Sequence, residues 1–334
     1  MNLKVLAAGV LVLVTMGASA QNLNGAGATF PYPIYSKWFS EYSQAHPNIK
    51  INYQPIGSGG GIRQVTEGTV DFGASDVTMT DEQLAGAKVK VVALPTVLGA
   101  VVPVYNVPGV NKDLNFSGDV IADIYLGKIS KWNDPRIAKD NPGVNFPDKP
   151  ILPVYRSEGS GTSFIFTDFL SKVSPDFKSK VGAGAAVKWP TGIGQKGNEG
   201  VSGMVRQSPY SFGYVELIYA EQNKMAFGTV KNQSAKFVKA STAGVTAAAA
   251  AAAKTMPSDY RVSITNAAGP DSYPISSFTW LLIPTHGDAA KTKVLTDFMI
   301  WMLDKGETEA ASLSYAPLPK GVADMVRKSV SGIK

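Results

Sequence analysis

The sequence of 334 residues contains no cysteine. Disulfide bonds, thiolate zinc sites and cysteine nucleophiles are therefore excluded, and the stability of the folded chain must come from packing. A chain of this length can bury a core large enough for that purpose. At ~150 residues per domain, the length predicts two domains.

Histidine is almost as scarce, since the chain holds only His46 and His286. Their separation does not match zinc-ligand spacing, and no serine lies in a G-x-S-x-G turn. The single Gly-Lys pair, Gly127-Lys128, is followed by Ile129, so the Walker pattern of nucleotide-binding loops is missing too. We therefore expect no enzyme, no metal and no cofactor, and we interpret both histidines as surface residues.

Blocks of like charge are also missing. The net charge of +6 at pH 7 is spread along the chain without an arginine-rich block. A mildly basic chain favours anionic partners. Without a zinc-finger or RNA-recognition signature, it does not indicate a nucleic-acid partner.

The first twenty residues differ in composition from the rest. They carry one charge, Lys4, then an apolar run over 5–14, and they close with Ala18-Ser19-Ala20. This layout predicts a secretory signal peptide that is cleaved after Ala20. The apolar run is shorter than the ~20 residues that a membrane-spanning helix needs. We therefore expect an exported protein.

Strand-like and helix-like patterns alternate through the rest of the chain. In its first hundred residues this alternation is typical of an α/β fold with a mainly parallel sheet. Helices are predicted at 34–42, 62–70, 121–129 and 294–303 and after Gly161, and strands at 49–53, 71–76 and 278–283. FGYVELIYA (212–220) begins like a strand and ends like a helix.

Two further segments have unusual compositions. The valine-rich, uncharged run 91–107 contains Pro95 and Pro103, so it predicts two buried strands that could cross between domains. The alanine run 246–254 predicts a surface helix, because alanine has the highest helix propensity.

Small and hydroxyl residues stand at the start of three predicted helices. They are found in GAGATFPYPIYSKWF (25–39), GSGGGIRQV (57–65) and GSGTSFIFTDFL (159–170). The first N–H groups of a helix lack intrahelical partners and are partly positive, so such helix starts can bind anions. Ser, Thr and Gly also occur there as ordinary caps. Three such starts in one chain, one of them beside Arg156, favour a shared oxyanion site.

Together with YQPIGSGGGIRQV, TVDFGASD, DIYLGKISKWNDPRI, YRSEGSGTSFIFTDFL and KWPTGIGQKGNEGV, these motifs resemble the periplasmic phosphate-binding proteins of high-affinity phosphate ABC transporters. The resemblance runs from about Gly25 to Tyr219 and resumes at SYPISSFTWLLI (272–283) and in the C-terminal helices. It is weakest over about 225–270, around the alanine run.

The resemblance implies a two-domain periplasmic-binding-protein fold of type II-like topology. Two crossover segments would join the α/β domains, with the ligand in the inter-domain cleft. We expect residues 21–97 plus 273–334 in the first domain and 98–272 in the second. It further implies a periplasmic monomer that captures inorganic phosphate and passes it to the membrane permease subunits of an ABC importer.

The matching motif positions imply which residues bind phosphate. They are Thr29 and Phe30, the latter through its backbone N–H, with Ser58, Asp76, Arg156, Ser160, Gly161 and Thr162. Glu158 stands where an aspartate usually follows the arginine, and Gly59 where some members have serine. We expect Glu158 to pair with Arg156 and orient it, although it could be a solvated loop acid.

The presence of Asp76 predicts that the site selects phosphate over sulfate, unless this residue is only a strand-end acid or a helix cap. Phosphate at neutral pH carries a proton on at least one oxygen, and sulfate does not. An ionised carboxylate can only accept a hydrogen bond, so it would accept the phosphate O–H and repel sulfate. The alternatives are a receptor for sulfate or molybdate and, in another class, a secreted phosphatase.

Overall fold

The computed structural model describes residues 21–110, 112–285 and 287–333. The predicted signal peptide and the prediction for His286 lie outside these residues. His46 is exposed, as expected, at the end of the first helix. None of the helices in the described ranges is long and apolar enough to cross a membrane.

Strands and helices alternate along the chain. The strands are β1 (Gln21–Gly27), β2 (Ile49–Pro55), β3 (Phe72–Ser75), β4 (Val91–Tyr105), β5 (Asn115–Phe116), β6 (Leu152–Arg156), β7 (Ile193–Gln195), β8 (Ser211–Glu216), β9 (Ala226–Phe227), β10 (Thr229–Lys231), β11 (Phe237–Val238) and β12 (Ser276–Pro284). The α-helices are α1 (Tyr32–Ala45), α2 (Ser58–Glu67), α3 (Asp81–Ala85), α4 (Gly118–Tyr125), α5 (Pro135–Asp140), α6 (Gly161–Val173), α7 (Pro175–Lys180), α8 (Gly197–Gln207), α9 (Leu217–Gln222), α10 (Thr242–Ala252), α11 (Ala289–Asp304) and α12 (Lys320–Ser331), with a 3₁₀ helix at Gly306–Leu313.

The large sheet has the strand order β2-β1-β3-β12-β4-β8-β6-β7, with β9 added beside β4. Strands β1, β2 and β3 are parallel, as the sequence predicts for the first hundred residues. Strands β12 and β4 run antiparallel to their neighbours at the centre, so the sheet is mixed. A small second sheet has the order β11-β10-β5.

Strand β4 differs from its prediction. The valine-rich run forms one continuous strand over Val91–Tyr105, and the prediction of two strands is wrong. Pro95 lies where the pairing with β12 shifts by one residue between Thr279 and Trp280. Such an irregularity tolerates a residue that has no N–H to donate. The strand pairs with β12 up to Ala100 and with β8 from Val101 onward, so it connects the two halves of the sheet.

The alanine-rich helix α10 forms as predicted, but it is only partly at the surface. Val245, Ala248 and Ala249 are buried. Small side chains on this face let the helix pack closely against β4 and β12.

Aromatic side chains fill the core beside α1. Phe39 packs against Phe298 of α11, with 5.1 Å between the ring centroids. The buried indole of Trp38 donates from Nε1 to the Gly306 carbonyl at 2.8 Å. These contacts hold the middle of α1 against α11 and the start of the 3₁₀ helix.

Candidate functional site

Two of the three predicted helix starts face each other directly. Ser58 begins α2 and Gly161 begins α6, and the Gly59 N–H donates to the Gly159 carbonyl at 2.9 Å. A Cβ on Gly161 would lie 2.4 Å from Ser58 Oγ and 2.5 Å from Asp76 Cβ. Only glycine allows this approach, so Gly161 can lie directly against Ser58 and Asp76, although both are far from it in the sequence.

Arg156 and Glu158 form a buried ion pair at the end of β6. The Arg156 side chain is 1% exposed and the Glu158 side chain 18% exposed. Arg156 donates from Nε to Glu158 Oε1 at 2.9 Å and also through Nη2, while its Nη1 donates to Thr162 Oγ1 at 3.2 Å. The Gly197 N–H donates to the same Glu158 oxygen at 3.1 Å. Glu158 therefore contacts the arginine as expected and is not a free loop acid.

Asp76 follows β3 and is 1% exposed. Its Oδ1 accepts from Thr279 Oγ1 at 2.7 Å, and its Oδ2 accepts from Ser58 Oγ at 3.3 Å. Burial raises the pKa of Asp76 from 3.8 to about 7, although the Thr279 hydroxyl, the charge of Arg156 and the Ser58 hydroxyl each lower it. The carboxyl group therefore titrates near neutral pH, a property that the sequence does not reveal.

Asn198 connects two of the predicted residues and was missed at the sequence level. It lies in the first turn of α8, is fully buried, and donates from Nδ2 to Thr29 Oγ1 at 2.8 Å and to Thr162 Oγ1 at 3.2 Å. Thr279 was missed as well. Both lie inside motifs that carry the family resemblance, but no local pattern distinguishes them from their neighbours.

Ser160 and Phe30 have structural contacts of their own. The Ser160 hydroxyl accepts the Ser163 N–H at 3.1 Å, which caps α6. The Phe30 ring is buried in an edge-on contact with Tyr315, and the Phe30 carbonyl accepts from the Tyr315 hydroxyl at 2.6 Å. Any contribution of Phe30 to a ligand must therefore come from its backbone N–H.

The site as a whole combines many donors with one acceptor. The first amides of α2 and α6 have no intrahelical acceptors, and Arg156 and several hydroxyls lie beside them. Asp76 provides the carboxyl group among these donors. No group of three or more potential metal ligands occurs in the part of the chain that the structure describes. This arrangement suits a small oxyanion that carries one proton.

Known proteins are similar to this chain over most of its length. A model of the PBP superfamily domain matches residues 14–305. The phosphate-binding protein PstS of Pasteurella multocida is 47% identical over 310 residues, which cover 92% of this chain and 89% of that protein. PstS of Haemophilus influenzae is 45% identical over 321 residues, which cover 95% of each chain. The chain belongs to the PstS family.

Solved structures share the fold of this PstS-family chain at lower identity. A phosphate-binding protein from Stenotrophomonas maltophilia aligns with a TM-score of 0.68 at 20% identity, covering 92% of this chain and 93% of that one. A high-affinity periplasmic phosphate-binding protein bound with phosphate aligns with a TM-score of 0.73 at 21% identity, covering 92% and 94%. The mixed α/β periplasmic-binding-protein fold expected from the resemblance is thus confirmed.

Gly161→Ala tests the close approach of the two helix starts in this PstS-family site. The added methyl group would overlap Ser58 and Asp76, so we expect the free energy of unfolding to fall by ~1–3 kcal/mol. Denaturant unfolding measures it. Gly203→Ala on α8 is the matched control, because its Cβ would meet no atom within 4 Å. The control should be stabilised by up to ~1 kcal/mol, and equal stability of the two variants would contradict the close approach.

Proposed function

We propose that this protein is an extracytoplasmic solute-binding protein that captures inorganic phosphate and delivers it to an ABC importer. The observation that carries this proposal is the convergence of the α2 and α6 helix starts and Arg156 on a single buried carboxyl group, Asp76. Helix starts and a guanidinium fork bind the oxyanion, and the ionised carboxylate accepts a hydrogen bond from its O–H group.

The proposed ligand contacts are distributed over the described site. Thr29, Ser58, Arg156, Ser160, Gly161 and Thr162 are donors, with the backbone N–H of Phe30, and Asp76 is the acceptor. Glu158 holds the Arg156 fork in place from the side. Ser160 contributes its hydroxyl proton while its oxygen caps α6.

Two domains would close around the ligand, one of residues 21–97 plus 273–334 and the other of 98–272. The change of pairing partner along β4, between Ala100 and Val101, lies close to this proposed boundary and supports it. Contacts between the proposed domains support closure as well, among them the Gly59–Gly159 bond and the Asn198–Thr29 bond. Hinged closure of this kind commonly traps small ligands between domains.

The family and the sequence support a proposed cellular context. The chain would be exported to the periplasm by its signal peptide, cleaved after Ala20. It would act there as a monomer that meets the membrane permease subunits of the transporter. It would not be an enzyme, and it would bind neither nucleic acid nor a cofactor.

Calorimetric titration of the mature protein at pH 8 tests this function. We expect one phosphate to bind per chain and sulfate to bind negligibly, because an ionised Asp76 faces the ligand. A buried charged group that loses its partner costs more than the ~1–3 kcal/mol of a neutral one. Equal affinity for the two anions would contradict the proposal. Turnover of a chromogenic phosphate ester would instead indicate a phosphatase.

A further inference from the structure

Asn198 uses both ends of its buried side chain amide. Its Oδ1 accepts the backbone N–H of Glu216 at 3.1 Å, which fixes the orientation of the amide because an N–H can only donate. Its Nδ2 then donates to Thr29 Oγ1 at 2.8 Å and to Thr162 Oγ1 at 3.2 Å. One amide anchored on β8 therefore connects Thr29, in the loop between β1 and α1, with Thr162 in the first turn of α6.

These contacts determine where the threonine protons can point. A hydroxyl group has one proton and two acceptor lone pairs. Thr162 Oγ1 accepts from both Asn198 Nδ2 and Arg156 Nη1, so both of its lone pairs are used. Thr29 Oγ1 accepts from Asn198 Nδ2 and also from the Asn198 backbone N–H at 3.4 Å. Each hydroxyl proton is left to donate to a third group.

We infer that Asn198 is a positioning residue that makes Thr29 and Thr162 obligatory donors to the bound anion. This inference rests on the proposed function. It also assigns the orientation of the ligand: unprotonated oxygens of phosphate face the two threonines, and the protonated oxygen faces Asp76. Asn198 acts through the threonine hydroxyls, so its effect on binding must depend on their presence.

A double-mutant cycle in the full mature chain tests this dependence. Phosphate affinity is measured by calorimetry for wild type, Asn198→Ala, Thr29→Val/Thr162→Val and the triple variant. In metal sites, loss of an outer hydrogen-bond partner of a ligand typically weakens affinity by about 10- to 100-fold, and we expect a loss of similar size in phosphate affinity for Asn198→Ala. In the valine background the same substitution should change affinity by less than about twofold, because the hydroxyls are gone.

Asn141 provides the matched control. It is 4% exposed and uses its amide in the same way, accepting the Asn115 N–H at 2.7 Å and donating to two carbonyls at 2.9 Å. Asn141→Ala should destabilise the fold and leave phosphate affinity unchanged.

Asn198→Asp is a second variant in case Asn198→Ala does not fold. It retains the acceptor for Glu216 but replaces the donor with an acceptor, so phosphate affinity should fall in the same way.

The outcomes separate this inference from the proposed function. A wild type that binds no phosphate overturns both. A wild type that binds phosphate, with Asn198→Ala or Asn198→Asp equal to it, overturns the role of Asn198 alone. An equal loss of affinity from Asn198→Ala in the threonine and valine backgrounds also overturns it, because a merely structural effect would not depend on the hydroxyls.

Discussion

Arg156→Met is expected to weaken phosphate binding strongly and to destabilise the unliganded protein. The guanidinium group is buried, and it connects Glu158 to Thr162. Its removal takes away the charged fork for the anion and leaves the Glu158 carboxylate with only the Gly197 N–H at 3.1 Å. Breaking a buried ion pair in this way costs ~3–5 kcal/mol. Hydrogen bonds to charged groups contribute ~1.5–3 kcal/mol each, so phosphate affinity should fall by about 100-fold or more.

The double variant Arg156→Met/Glu158→Gln separates the two effects. It removes the uncompensated carboxylate, so urea unfolding should show recovery of much of the lost stability. Calorimetry should still show the full loss of phosphate affinity, because the fork is missing. Phosphate binding by Arg156→Met within about tenfold of wild type would remove Arg156 from the proposed site.

Asp76→Asn is expected to abolish discrimination between phosphate and sulfate. The amide presents an N–H donor where the wild type presents a carboxylate, so it no longer repels an oxygen that carries no proton. Sulfate binding should therefore appear, and the ratio of the two dissociation constants at pH 8 should approach one. Calorimetric titration of both anions measures this ratio. A ratio equal to that of wild type would show that another group provides the selectivity.

The pKa of Asp76 gives this substitution a second, pH-dependent readout. Folding raises the pKa from 3.8 to about 7, because burial disfavours the charged form. The neutral carboxyl group therefore contributes to the free energy of unfolding below about pH 4. This stabilising contribution is lost as the pH rises through about 7. In thermal unfolding without ligand at pH 8, the melting temperature of Asp76→Asn should be higher than that of wild type. This difference in melting temperature should disappear near pH 4. A difference that does not change with pH would contradict the raised pKa.

The affinity of the wild type for sulfate should change with pH as Asp76 titrates. Below about pH 7 a neutral Asp76 can donate its own proton, so sulfate is no longer repelled and its affinity should rise. Asp76→Asn is the control for this series, because it has no proton to lose at this position.

The sequence by itself determined the local features of this protein. The helix starts at Ser58 and Gly161 are visible because a cap and an apolar stripe lie within a few residues of each other. The two-residue spacing of Arg156 and Glu158 allowed an ion pair or a solvated loop acid, and the structure shows the ion pair. Absent cysteines and scarce histidines limited the possible chemistry before any fold was known.

Tertiary structure alone decided the features that depend on distant segments. Asp76 owes its raised pKa to burial and meets a hydroxyl 203 residues away, at Thr279. Asn198 reaches Thr29 across 169 residues. The proline-containing run 91–107 holds a single strand because β12 and β8 pair with its two halves. Burial, pKa and hydroxyl orientation are set by which segments the fold brings together, and no local sequence pattern records those contacts.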